Sequence, residues 1–205
     1  TYANQISRIL QKRCVSCHRD GEIAPFKLTD YDEVAGWAEM IAEVVDENRM
    51  PPWHATQEHL KFANDRTMTD TEKDLIYRWV ANGAPEGDPG MLPAPSVFPM
   101  AEWNLPKQPD AAFIIQKTPY TVQAEGEVKY QWFSIDLNFK EGKWVKAVEI
   151  IPGNREVVHH ILAFIQHPSQ DRQAASRGYL AGYVPGLIAG SFPEGMAKRV
   201  PAGSR

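Results

Sequence analysis

The residues best equipped for chemistry lie together in Cys14-Val15-Ser16-Cys17-His18, which holds the only two cysteines of the chain with a histidine directly behind them. Two thiols at this spacing can each add to one vinyl group of a haem. The adjoining imidazole is then held within reach of the iron, so the run reads as a c-type attachment site. Two other chemistries use the same residue types. A redox dithiol wants a βαβ setting, whereas this run follows a helix-like stretch in a helical segment. Zinc needs two further ligands, and His54 and His59 stand at a spacing that fits no common finger.

His18 fills one axial position of such an iron, and the second falls to Met50. Arg49-Met50-Pro51-Pro52-Trp53 sets a thioether on a proline-stiffened loop with a bulky Trp53 beside it, whereas Met40 and Met68 fall in or at helices. His54 is the rival ligand. Thioether ligation raises the reduction potential relative to two histidines, so the choice bears on function. The Pro25 carbonyl is a candidate acceptor for the His18 ring N–H, a contact of the kind that orients metal-bound histidines; the alternative is a plain turn proline in Ala24-Pro25-Phe26.

A second cluster is the pair His159-His160, within Arg155-Glu156-Val157-Val158-His159-His160-Ile161-Leu162-Ala163-Phe164. Imidazole pairs suit copper or zinc. Adjacent residues of a regular strand face opposite ways, so both rings reach one ion only where the backbone bulges or twists. The alternative is one buried and one exposed histidine with no metal.

The elements that must position these groups change character along the chain. Tyr2, Ile6, Ile9 and Leu10 fall at helical spacing before Cys14. Asp30 and Glu33 open a second helix in capping-box spacing, with Val34, Trp37, Ala38, Ile41 and Val45 as its apolar stripe and Pro51-Pro52 as its stop. Thr69 and Glu72 open a third, which carries Leu75, Ile76, Trp79 and Val80 and ends at Gly83 with Pro85 beyond. Three short helices bury little by themselves, and a haem between them supplies the missing core. Prolines 89, 93, 95, 99, 106 and 109 then mark an extended strap. Beyond it the period becomes two: Gln131, Phe133, Ile135 and Leu137 alternate with Tyr130, Trp132, Ser134 and Asp136, and 143–151 and 156–165 are further strand candidates. The expected organisation is a small all-α domain over 1–88, a strap over 89–109 and an antiparallel β segment over 110–205.

Residues 1–90 resemble a class I cytochrome c domain, through Cys14-Val15-Ser16-Cys17-His18, the Met50 loop and the closing helix with Trp79-Val80-Ala81-Asn82-Gly83-Ala84-Pro85-Glu86-Gly87. The resemblance implies single-electron transfer, covalent haem c on Cys14 and Cys17, and a periplasmic or otherwise extracytoplasmic location. The segment around His159-His160, with Gly182-Tyr183-Val184-Pro185-Gly186 and Phe192-Pro193-Glu194-Gly195, resembles the N-terminal part of the copper type II, ascorbate-dependent monooxygenases. That family implies a jelly-roll β-sandwich and places two ligands of an electron-donating copper at His159 and His160. Its third ligand, in a His-Tyr strand, and its second copper site are not in this sequence; His167, in a Pro/Ser/Gln turn, is a poor substitute. The β segment therefore reads as incomplete, and copper hydroxylation as a property of a longer chain. Three functions follow: an electron carrier, a monooxygenase whose cytochrome domain feeds copper, and a docking subunit of a larger redox assembly.

Composition removes other classes. The 22 basic against 26 acidic side chains give a net charge of −4, with no basic stripe for nucleic acid. Charge is uneven: residues 1–90 carry 10 basic and 16 acidic side chains, and the remainder 12 and 10. An acidic face on the second helix is suited to steering a basic redox partner. No apolar run reaches the ~18–20 residues that span a bilayer. There is no phosphate-binding glycine loop and no nucleophile elbow.

Overall fold

The computed structural model describes residues 1–55, 61–62, 64–98, 103–105, 107–167, 178–187 and 190–205. The chain divides into two compact units, Thr1–Phe98 and Pro99–Arg205. Helices build the first, and short antiparallel strand pairs the second.

In the first unit a π-helical turn over Tyr2–Ile6 passes into α1 (Ser7–Arg13). The second helical stretch is α2 (Tyr31–Gly36) followed by α3 (Ala38–Asp46), broken at Trp37 with φ −105° and ψ 6°. The Ile41 N–H still donates to the Trp37 carbonyl at 2.8 Å, so the axis bends without losing its ladder. Only half of the expected capping box forms at Asp30. Its carboxylate accepts the Glu33 N–H at 3.1 Å, but the Glu33 carboxylate accepts the Lys27 N–H at 3.2 Å instead of reaching back. At α4 (Asp70–Ala81) the box is complete: Thr69 Oγ1 accepts the Glu72 N–H at 3.2 Å and the Glu72 carboxylate accepts the Thr69 N–H at 2.9 Å. The helix ends where Gly83 and Ala84 take φ of 80° and 49°, a left-handed pair that lets the Ala84 N–H close on the Trp79 carbonyl at 2.9 Å.

The apolar stripes meet in one core containing Ile6, Leu10, Val34, Ala38, Ile41, Val45, Ile76 and Trp79. Burying each large aliphatic side chain contributes about 1.5–3 kcal/mol before conformational entropy is counted. Polar contacts fix the register of the first helix against the residues after α4. Tyr2 and Ala3 N–H groups donate to the Pro85 and Glu86 carbonyls at 2.9 and 2.8 Å. Trp79 Nε1–H donates to Pro85 at 3.0 Å and the Tyr31 hydroxyl to Ala84 at 3.0 Å.

Among its described residues the second unit holds six strands, β1 (Lys143–Val145), β2 (Ala147–Val148), β3 (Ile161–Phe164), β4 (Tyr179–Tyr183), β5 (Gly190–Ser191) and β6 (Lys198–Val200). They pair antiparallel as β1 with β6, β2 with β5 and β3 with β4, a nested order in which the chain runs out and folds back along itself. The register of β3 and β4 shifts between Ala163 and Phe164. Where β4 begins, a Cβ on Gly178 would lie 2.3 Å from the Ile165 carbonyl oxygen, so only glycine fits there.

Three strand expectations need correction. Tyr130–Leu137 belongs to no ladder, and Tyr130 and Trp132 are 75% and 81% exposed. Alternation gives a segment two faces, but a strand also needs a neighbour for its backbone groups. Among the described residues that neighbour appears only further along, where Leu137 N–H donates to Ser204 at 3.3 Å and Gly203 N–H to Phe139 at 3.2 Å. The candidate over 143–151 shortens to β1 and β2, split at Lys146. The candidate over 156–165 shortens to Ile161–Phe164, because residues 155–157 form a turn and the Glu156 N–H donates to Asn154 Oδ1 at 2.9 Å.

Candidate metal centres

The run Cys14–His18 is the turn that leaves α1. The N–H groups of Cys17 and His18 both donate to the Cys14 carbonyl at 3.0 Å, which coils the two thiols and the imidazole around one tight loop. Both cysteines are free thiols and partly buried. Burial, helped by the nearby Cys17, pushes the Cys14 thiol up to about 12 against the opposing charge of Arg13.

His18 Nδ1 lies 3.1 Å from the Phe26 carbonyl oxygen. An acceptor there requires the proton on Nδ1, and Nε2 keeps its lone pair. The sequence placed this contact one residue early, at Pro25. The fold assigns it to Phe26 because the loop returns with the Leu28 N–H on the His18 carbonyl at 3.0 Å. Burial lowers the His18 imidazole below its usual range, with the Phe26 carbonyl pulling the other way. The neutral ring is the form that binds a metal.

Met50 stands on the loop after α3, its N–H donating to the Val44 carbonyl at 3.0 Å and its side chain 41% exposed. Three residues on, the indole Nε1–H of Trp53 is buried with no hydrogen-bond partner among the described residues. His54 is exposed, and His59 lies outside the described residues. These features fit a haem. Two thiols stand free at the spacing thioether attachment uses, a neutral imidazole keeps the lone pair of Nε2, a methionine thioether lies on the loop after α3, and a buried N–H donor lacks an acceptor of the kind a propionate provides.

Sequence reasoning missed the aromatic packing behind His18. Its ring lies 4.9 Å from that of Phe26, and Phe26 stacks on Trp37 at 4.5 Å with the planes 19° apart. Trp37 was assigned to the apolar stripe, yet it is 36% exposed at the bend between α2 and α3. It also missed the ion pair between Arg19 and Glu22 at 2.7 Å, whose side chains are mostly buried, with the Arg19 guanidinium 4.3 Å over the Phe98 ring.

In the second unit the histidine pair precedes β3 instead of sitting on it. Freed from strand alternation, the rings lie on one side, with His159 Nδ1 and His160 Nδ1 3.0 Å apart and ring centroids 5.3 Å apart. Tyr130 packs against His160 at 5.6 Å. Among the described residues no group of three or more His, Cys, Asp or Glu side chains converges on a metal position. No helix among them is long and apolar enough to cross a membrane. No family model, curated protein or solved structure matches the chain.

Proposed function

We propose that the chain is an extracytoplasmic electron-transfer protein, in which Thr1–Phe98 acts as a class I cytochrome c. Cys14 and Cys17 would hold the haem covalently, and His18 and Met50 would ligate its iron. The carrying observation is the 3.1 Å contact from His18 Nδ1 to the Phe26 carbonyl, which sets the tautomer and leaves Nε2 with its lone pair for a metal, on a ring that directly follows two free thiols in sequence. When bound, the group supplies one reversible electron per cycle. The protein's own residues would hold it: the Cys14–Cys17 turn presents the two thiols, the Phe26 carbonyl orients His18, and the buried Trp53 N–H would suit a propionate oxygen. Expression with a c-type haem maturation system, followed by a pyridine-haemochrome spectrum, tests this. One covalent haem per chain is the expected result, and a protein that carries none overturns it.

A second reading concerns the unit Pro99–Arg205, which we propose as a sandwich-type domain akin to the copper monooxygenases. The 3.0 Å separation of the two Nδ1 atoms supports it. Two metal–nitrogen bonds of about 2.0–2.1 Å across that gap enclose an angle of about 95°, which a metal accepts. In this reading His159 and His160 bind copper, and the cytochrome unit delivers electrons to it in a longer or assembled protein. Copper analysis of the longest natural gene product distinguishes the readings, since a copper-free protein with full haem leaves only the electron carrier.

A further inference from the structure

We propose that Trp37 is the surface terminal through which a positively charged one-electron partner exchanges electrons with the iron bound by His18, an inference that rests on the electron-carrier reading. Three rings form an unbroken line from the metal ligand to solvent: His18, Phe26 at 4.9 Å, and Trp37 stacked on Phe26 at 4.5 Å. The hydrogen bond from His18 to the Phe26 backbone runs alongside, so the ligand and the first ring are coupled twice. Trp37 is 36% exposed, and Met40, one helical turn on, is 45% exposed. An aromatic and a thioether left in solvent beside each other form a small contact patch next to the end of the ring line.

The surroundings define the partner's charge. Residues 30–47 contain Asp30, Asp32, Glu33, Glu39, Glu43, Asp46 and Glu47 and no lysine or arginine. Arg49 draws in Glu43 and Glu47, and Asp32 and Glu39 remain on the exposed face. A field of this sign attracts a cationic rim and slows an anionic one, with effect on encounter rate more than on lifetime. The partner is therefore a redox protein with lysines or arginines around its exposed cofactor edge. In the step itself the reduced member loses one electron and the oxidised member gains it. No bond forms or breaks and no proton moves.

The test uses the haem-loaded full chain in stopped-flow oxidation of the ferrous protein by cationic tris(phenanthroline)cobalt(III) and by anionic ferricyanide. Trp37→Ala should slow the cationic reaction several-fold and leave the anionic one unchanged, with haem content and midpoint potential unaltered. Trp37→Phe, which keeps a stacked ring, should restore the rate. The double change Glu39→Lys with Glu43→Lys leaves the stack untouched and should slow the cationic reaction by about tenfold at low salt, an effect lost at high salt. Full haem with parental cationic rates in both Trp37→Ala and the charge variant overturns this proposal alone. A parent without covalent haem overturns the electron-carrier reading as well.

Discussion

The two units solve the same backbone problem differently. In Thr1–Phe98 the helices α1 to α4 close their own hydrogen bonds and each sends apolar side chains into one core, so Ile6, Leu10, Val34 and Ile76 are almost wholly buried. In Pro99–Arg205 the strands are two to five residues long, and few large side chains, such as Ile165, Tyr183 and Val200, are buried. Phe133, Trp144, Leu162 and Tyr179 remain substantially exposed. Helical structure is satisfied locally and needs only a face to pack on, while a sheet needs a neighbour for each edge. The first unit therefore gathers its apolar side chains around one core, and the second leaves many of its apolar side chains on the surface.

Breaking the attachment site should separate the units most sharply. Cys14→Ser with Cys17→Ser abolishes covalent haem, seen as loss of the haemochrome spectrum, and leaves amide exchange in the second unit unchanged. A core truncation should be the next largest effect. Ile76→Ala, at a position with no exposed surface, is expected to cost about 2–5 kcal/mol in chemical denaturation. Leu162→Ala, at a half-exposed position of β3, should stay within about 0.5 kcal/mol. A comparable loss at Leu162 would show that the second unit has a core of its own.

Acid should loosen the first unit through Glu72. Burial works to raise its carboxyl, but hydrogen bonds from Arg13, the Thr69 N–H and Lys12, together with the Arg13 charge, overcome this and hold it at about 2. The folded value lies below the ordinary carboxylate value of 4.5, so the stabilisation is complete above that pH and fades as pH falls through about 2. With allowance for solvent screening its size is about 2 kcal/mol. Glu72→Gln should remove most of this acid dependence between those limits in thermal unfolding followed against pH. The smallest stability effect is expected at the histidine pair. His159→Ala with His160→Ala should leave the unfolding midpoint within about 0.5 kcal/mol of the parent while abolishing copper uptake measured by calorimetry. Undiminished uptake would exclude the pair as ligands.

The helical half was the more legible in sequence, for physical reasons. Capping pairs such as Thr69 and Glu72, stripes such as Val34-Ala38-Ile41-Val45, and Gly83 are local signals, and the structure realises them within a few residues. The β half was legible only as a tendency. Gln131 to Leu137 alternates cleanly, but whether it pairs depends on what lies beside it, and period two cannot name a neighbour. The histidine pair shows the same limit from the other side. Strand alternation predicted rings on opposite faces, whereas the turn at residues 155–157 ended the strand reading before His159 and let both rings meet.

Residue order alone sets out the chemistry on offer: two thiols and an imidazole at attachment spacing, a methionine on a proline loop, an adjacent histidine pair, and an acidic second helix. These are properties of residue type and of short separations along the chain. Tertiary structure decided which backbone oxygen faces His18, which ring carries the line from His18 to the surface, and that both Nδ1 atoms of the pair lie within 3.0 Å. Every backbone carbonyl looks alike in sequence, and contacts between residues such as Phe26 and Trp37 arise only when the chain folds back on itself.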